Sequence, residues 1–123
     1  MAAIRSYRDL IVWQEAISLA KSVYKLSANF PRREVYGLTS QIRRASISIP
    51  SNIAEGLARN STREYLRFVS IALGSLAELE TQLCLSVELE FCTQQQVDPV
   101  LKIAEILGRR IHALQSSLNA KVE

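Results

Sequence analysis

The sequence is poor in the residues that usually build catalytic and metal sites. It has one histidine and two cysteines among 123 residues, and their spacing matches neither a metal-ligand set nor a nucleophile with its base. Its four glycines are isolated from one another, so there is no glycine-rich loop to cradle a phosphate. We therefore predict a protein that is not an enzyme and that holds no metal and no cofactor.

Disulfides and long apolar runs are also lacking. Cys84 and Cys92 lie eight residues apart, which on one helix separates them by about 12 Å, too far for a disulfide. The longest stretches without a charged residue have ten residues, such as 68–77, whereas a membrane-spanning helix needs about 20 apolar residues. Arginines interrupt the N-terminal segment, so it lacks the apolar core of a secretory signal. We expect a cytoplasmic protein with reduced thiols and no membrane partner.

What the sequence does contain is a strong helical pattern. Hydrophobic residues make up 48% of the chain and charged residues 22%, which suffices for one packed domain. Apolar residues recur with helical spacing in four segments, and no strand-like alternation persists. This predicts a single all-α domain over residues 1–123, an antiparallel up-and-down four-helix bundle. The side chains expected in its core include Trp13, Ile42, Ile49, Leu76, Leu79 and Leu107.

Prolines and glycines mark the bounds of the first two predicted helices. The first ends before Pro31, because proline disfavours helix at the preceding residue. The second passes through Pro50 with a kink, and a nearby serine or Asn52 side chain is expected to bond the freed carbonyl of Ser46. Gly56 is expected to cap its C-terminus. The apolar stripe of the first helix consists of Leu10, Trp13, Ala16, Ile17, Ala20, Val23 and Tyr24.

Capping residues mark the starts of the last two predicted helices. Ser61 and Glu64 have the form of a capping box at the start of the third helix. The fourth helix begins either at Thr93, in a second capping box, or at Asp98, which precedes a proline. The third helix also has apolar residues outside its seam, which predicts burial against more than one neighbour. The seam consists of Tyr65, Val69, Ala72, Leu76, Leu79 and Leu83.

Charge is distributed unevenly along the chain. Residues 1–67 hold 11 basic and 5 acidic groups, whereas residues 68–123 hold 4 basic and 7 acidic groups. Such asymmetry fits either a polyanion partner or a surface that pairs with a second copy of the chain. Guanidinium groups suit phosphates, and five arginines form the candidate nucleic-acid-binding site. They are Arg43, Arg44, Arg59, Arg63 and Arg67. If the second and third helices pack antiparallel, the last three gather at one end and Arg43 lies further along the bundle. The alternative is a solvated basic face on which Arg63 and Arg67 pair with Glu64 or with other acidic groups of the third helix.

The central part of the sequence is distinctive. The run from Gln41 to Gly56, which contains Ser48-Ile-Pro-Ser-Asn-Ile-Ala-Glu-Gly56, resembles the 23S rRNA-intervening sequence proteins. Further matching pieces are Asp9-Leu10 with Trp13, Phe30-Pro31, Tyr36-Gly37-Leu38-Thr39 and Gly74-Ser75-Leu76.

This resemblance implies a small bacterial protein that forms a four-helix bundle and assembles as a ring-shaped homopentamer, with no catalytic residues to carry over. A similar bundle is the accessory protein of diversity-generating retroelements, which binds nucleic acid and a reverse transcriptase. We therefore expect a non-enzymatic oligomer that binds RNA or DNA through its arginines, with a reverse transcriptase as a further candidate partner. The alternative is a structural assembly or protein-interaction module without a nucleic-acid site.

Overall fold

The computed structural model describes residues 6–122, and this part of the chain forms four α-helices and no strand. Each helix packs against its neighbours along the chain, and the first also packs against the last. The predicted up-and-down four-helix bundle is therefore confirmed. The helices are α1 (Ile11–Ser27), α2 (Leu38–Leu57), α3 (Thr62–Glu88) and α4 (Gln94–Asn119), with short 3-10 turns at Tyr7–Asp9 and Arg32–Glu34.

Polar side chains cap the helices close to the predicted positions. The Ser61 hydroxyl accepts a hydrogen bond from the Glu64 amide at 3.1 Å, although the Glu64 carboxylate meets the Ser61 hydroxyl and not the backbone amide. Thr93 and Gln96 form a complete capping box, with bonds of 3.1 and 2.9 Å. Of the two starts predicted for α4, the one at Thr93 is correct, because the capping box there gives the amides of Thr93 and Gln96 side-chain partners.

Pro50 is buried within α2, which continues through it without a break. The Asn52 side-chain amide donates to the Ser48 carbonyl at 2.8 Å and to the Ser48 hydroxyl at 2.9 Å. The carbonyl that Pro50 leaves unpaired is that of Ser46, four residues earlier, and not that of Ser48. Asn52 therefore does not form the expected bond to the Ser46 carbonyl, and the Ser46 hydroxyl donates to the Arg43 carbonyl at 2.8 Å.

The core of the bundle contains the residues expected from α2, α3 and α4, namely Ile42, Ile49, Leu76, Leu79 and Leu107. It contains the predicted stripe of α1 only in part. Val12 and Leu19 supply core side chains, whereas Ile17 and Tyr24 are 42% and 39% exposed. Trp13 is half-buried and not a core residue. The prediction was wrong here because α1 has apolar residues around more than half of its circumference, so spacing alone does not select the side that faces the core.

The connection between α1 and α2 packs against the ends of α3 and α4 that extend beyond the shorter α1. α1 has 17 residues and α3 has 27, which at the helical rise correspond to about 26 and 40 Å. Phe30, which follows α1, is buried and packs against Phe91, with ring centroids 5.7 Å apart. The Arg33 guanidinium also lies over the Phe91 ring, at 5.9 Å. The connection thus takes the place of the missing helical turns.

The sequence predicted that Gly56 caps the C-terminus of α2. This prediction is wrong, because Gly56 lies inside the helix and Ala58 follows its last residue as the cap. A methyl group at this position would lie 2.9 Å from both Phe68 Cβ and Tyr65 Cδ1 of α3. Because real Cβ atoms do not approach so closely, the glycine is needed for the close contact between α2 and α3.

α3 is more apolar than its share of the core requires. By length and composition alone this helix is able to cross a membrane, yet only 33% of the apolar stretch is buried. The expectation that no segment has this composition is therefore wrong for α3. Its carboxylates limit the charge-free runs but do not outweigh the apolar residues when the whole stretch is averaged. Ile71 and Leu85 are large apolar side chains that this helix leaves exposed, and Leu89, which follows its last residue, is exposed as well.

Truncating the core at Leu79 tests the assignment of the seam. Leu79 is fully buried, so we expect Leu79→Ala to lower the free energy of unfolding by about 2–5 kcal/mol in urea denaturation. The matched control is Ile11→Ala, at an exposed position of α1, which is expected to change stability by less than about 0.5 kcal/mol. Equal effects at the two positions would contradict the assigned core.

Two glycine substitutions should have opposite effects. No atom lies within 4 Å of a methyl group placed at Gly74, so Gly74→Ala is expected to raise stability by about 1 kcal/mol through helix propensity alone. Gly56→Ala gains the same propensity, but the overlap with Phe68 and Tyr65 should cost about 1–3 kcal/mol. Thermal unfolding of both variants checks this, and a Gly56→Ala protein as stable as Gly74→Ala would contradict the close contact.

Candidate nucleic-acid interface

The five candidate arginines form two groups in the structure. Arg43 and Arg44 lie near the start of α2, and Arg59 lies in the turn that follows it. Sixteen residues separate Arg43 from Arg59, which corresponds to roughly 24 Å along the helix. Arg63 and Arg67 lie on the first turns of α3, next to Arg59. We call Arg59, Arg63 and Arg67 the turn arginines; the structure does not bring them together with the other two.

Arg43 makes contacts within the bundle. Its Nε donates to the buried Ser27 hydroxyl at 2.8 Å, and its Nη2 donates to the Tyr24 carbonyl at 3.4 Å. The guanidinium also lies over the Tyr24 ring, 4.5 Å from its centroid. These contacts place a positive charge at the C-terminal end of α1, where the helix dipole is negative. Arg43 thus joins α2 to the last turn of α1.

Arg44 is exposed on the outer side of α2, between two surface depressions. Its Nη2 lies 3.5 Å from the Ser40 hydroxyl. On one side is a polar cleft of about 370 Å³ between α2 and α3, lined by Ser48, Ser75 and Glu78 among others. The Ser48 and Ser75 hydroxyls share a hydrogen bond of 2.8 Å across this cleft. Arg44 is therefore more accessible to a ligand than Arg43.

The turn arginines are all exposed. The Arg59 guanidinium lies 4.7 Å from the centroid of the Phe68 ring and its Nη2 lies 3.9 Å from the Glu55 carboxylate. Within residues 6–122 no carboxylate lies within 4.0 Å of Arg63 or Arg67. Two guanidiniums one helical turn apart therefore present unneutralised charge, and the neighbouring Arg59 is held by a ring and only a loose ion pair.

Further cations lie at the same end of the bundle. In an antiparallel arrangement the start of α1 and the end of α4 lie at the same end of the bundle as the start of α3. α4 packs beside α3, as a bond of 3.2 Å from Gln115 to Ser70 shows, whereas among the described residues α1 packs against α2 and α4 and not against α3. Lys121 and Arg8, which are both exposed, therefore lie at this end of the bundle, Lys121 on the side of α3 and Arg8 across from it. The sequence analysis did not select them, although the antiparallel topology was the signal from which their position follows.

An apolar depression runs along the outside of α1 and α2. Trp13, Ile17 and Ala20 line it from α1, while Ile47, Pro50 and Ala54 line it from α2, with a volume of about 340 Å³. A second depression of about 350 Å³ continues from Ile47 toward Tyr24 and Val35. We call these two depressions together the α1–α2 groove. Of the α1 residues that sequence spacing assigned to the core, Trp13, Ile17, Ala20 and Tyr24 line this groove.

The acidic residues of α3 and α4 offer no cluster of ligands. Within the described residues, no three histidine, cysteine, aspartate or glutamate side chains come together in a way that suits a metal ion. Partial burial raises the pKa of Glu80, and the neighbouring Glu105 carboxylate raises it further. The two carboxylates therefore oppose each other where α3 packs against α4.

This carboxylate pair predicts a pH-dependent gain in stability. A carboxyl group whose pKa is raised by folding favours the folded state below its unfolded pKa of about 4.3, and this contribution is lost as the pH rises through the folded pKa. Glu80→Gln should therefore raise the free energy of unfolding at pH 7 by less than about 1 kcal/mol, with no such gain below about pH 4. In a Glu105→Gln background the gain should be smaller. A gain independent of pH would contradict the electrostatic cause.

Comparison with known proteins supports the bundle and identifies its family. The solved structure of a protein of unknown function from the S23 ribosomal protein family of Bacteroides thetaiotaomicron has a TM-score of 0.76 at 22% identity, covering 85% of this chain and 98% of that chain. At this identity the likeness establishes the fold alone. No curated protein matches the sequence. The sequence pattern described as 23S rRNA-intervening sequence protein matches residues 8–113, and the chain therefore belongs to that family.

Proposed function

We propose that the protein binds the phosphate backbone of a nucleic acid as a homo-oligomer, through the turn arginines. The observation that carries this proposal is the group of exposed guanidiniums at one end of the bundle, where Arg63 and Arg67 have no carboxylate within ion-pair distance among the described residues. Unneutralised arginines on a rigid helix suit phosphate oxygens, because the planar guanidinium offers two parallel donors.

Binding of this kind selects sequence weakly. Contacts with phosphates fix the position of a nucleic acid but do not read its bases. The Phe68 ring beside the turn arginines is covered by Arg59, which leaves it unsuited to stacking on an unpaired base. The family description names 23S rRNA, which makes structured RNA the first polyanion to test and duplex DNA the second.

Self-association would make such a weak site effective. The whole chain has a net charge of only +3, so one copy offers a modest attraction for a polyanion. In a ring, for which a pentamer is the first expectation, every copy repeats the turn arginines around one assembly. Several weak contacts then act on one nucleic acid at a high effective concentration.

The test is the salt dependence of binding. Binding of a fluorescently labelled RNA hairpin and of a DNA duplex is measured by anisotropy between about 50 and 200 mM salt. Arg63→Gln combined with Arg67→Gln should weaken the binding of both and reduce the slope of log affinity against log salt by about 0.7–0.9 for each phosphate that the variant no longer neutralises. Mass and helix content are measured on the same protein, so that loss of assembly or of folding is recognised.

The matched control removes the same charge elsewhere. Arg32→Gln combined with Lys102→Gln also removes two exposed cations, at positions distant from the turn arginines, and should leave the slope close to that of the parent. If this control weakens binding as much as the first variant, net charge and not the turn arginines accounts for the binding. If a folded, assembled Arg63→Gln, Arg67→Gln protein binds like the parent, the site is wrong.

An assembly module without a nucleic-acid site is the second candidate function. The observation that favours it is the α1–α2 groove, which leaves apolar side chains of two helices uncovered. A protein that forms a stable oligomer but binds neither RNA nor DNA at low salt would support this candidate over the first.

A further inference from the structure

The α1–α2 groove is an elongated apolar surface with a basic rim. Ile47 lies at its middle, shared by the two depressions, and is 45% exposed. From Trp13 to Tyr24 the groove follows eleven residues of α1, about 17 Å. Arg44 lies on the α2 side of it, and Lys21, four residues after Ile17, lies on the α1 side by helical spacing. Such a groove fits an apolar helix with acidic residues along it.

The same chain carries a surface of matching character on α3. Ile71, Glu78 and Leu85 follow one another at intervals of seven residues, which places them along one side of the helix. All three are exposed, with Ile71 41% and Leu85 44% exposed. Between them Gly74 has no atom within 4 Å of its Cβ position, so nothing in the bundle covers this part of α3. We call this surface the α3 ridge.

The groove and the ridge are complementary in length and in charge. From Ile71 to Leu85 the ridge extends over 14 residues, about 21 Å, close to the length of the groove. Its carboxylate, Glu78, would meet a groove whose rim carries Arg44 and Lys21. The rim of the groove carries two cations and the ridge carries one carboxylate, so contact between two grooves or between two ridges would place like charges together.

We propose that the α3 ridge of one copy packs into the α1–α2 groove of a second copy. The inference rests on the self-association included in the proposed function and assigns the surfaces that carry it. Because the two surfaces differ, each copy keeps one free groove and one free ridge after pairing, and further copies add head to tail until the chain of copies closes. The ridge begins at Ile71, one helical turn after Arg67, so all three turn arginines precede the contact and remain open to a polyanion.

Two single substitutions test the two surfaces separately. Ile47→Glu places a carboxylate in the groove, and Ile71→Glu places one on the ridge; both residues are exposed in the single bundle, so each variant should keep its helix content. By light scattering at micromolar concentration the parent should be an oligomer, and each variant alone should have the mass of one chain. Ile11→Glu, an exposed isoleucine on neither surface, is the control and should assemble like the parent.

Mixing the two variants distinguishes this contact from every symmetric one. The Ile47→Glu protein keeps an unaltered ridge and the Ile71→Glu protein keeps an unaltered groove, so an equimolar mixture should form a dimer with one copy of each. This dimer cannot grow, because its two remaining surfaces are the altered ones. Mass spectrometry with one variant isotopically labelled reads the composition directly.

Other outcomes would overturn the inference. A mixture that stays monomeric while both variants are folded, a parent that is monomeric, or a control as disruptive as the two variants each exclude contact between groove and ridge. So does binding of a monomeric parent to phospholipid vesicles that Ile71→Glu abolishes, which would make lipid the occupant of the ridge. Nucleic-acid binding is measured separately. If the parent binds RNA while the mixture fails to dimerise, the contact between groove and ridge is excluded but phosphate binding by the turn arginines is not.

Discussion

The close contact between α2 and α3 around Gly56 determines much of the remaining surface. Because Gly56 has no side chain, Tyr65 and Phe68 of α3 approach the α2 backbone directly. The Phe68 ring then lies beneath the guanidinium of Arg59, which orders the arginine that follows α2. The same approach brings the Ser48 and Ser75 hydroxyls within hydrogen-bond distance further along the two helices. Both the basic end of the bundle and the polar cleft therefore depend on one position where a methyl group does not fit.

The arginines of α2 and α3 show how similar residues acquire different roles. Arg43 makes its contacts within the bundle, because the buried Ser27 hydroxyl and the Tyr24 carbonyl near the end of α1 lie within its reach. Arg63 and Arg67 lie beyond the α2–α3 turn, where no described carboxylate lies near enough to neutralise them. A charged side chain with partners in the fold contributes mainly to stability, whereas one without such partners is available to charged ligands from solution.

The helices and their ends could be predicted from the sequence more fully than the packing of each helix against its neighbours. The four helices, the starts at Ser61 and Thr93 and the end of α1 before Pro31 depend on local chemistry, which the chain itself contains. The side of α1 that faces the core and the reason for Gly56 depend on neighbouring helices, so spacing misassigned Ile17 and Tyr24. The separation of Arg43 from the turn arginines followed from an antiparallel arrangement, but its bond to Ser27 required the positions of both helices.

The unequal lengths of the helices constrain where the chain tolerates added residues. Since Phe30 and Arg33 pack against Phe91, the connection between α1 and α2 acts as part of the core, and a longer segment there would uncover the ends of α3 and α4. The residues between Leu57 and Thr62 are all exposed, so an inserted peptide there leaves the packed interior intact. Of these two connections, only the second therefore changes in length without loss of core packing, and an inserted residue there would alter the spacing of Arg59 from Arg63 and Arg67.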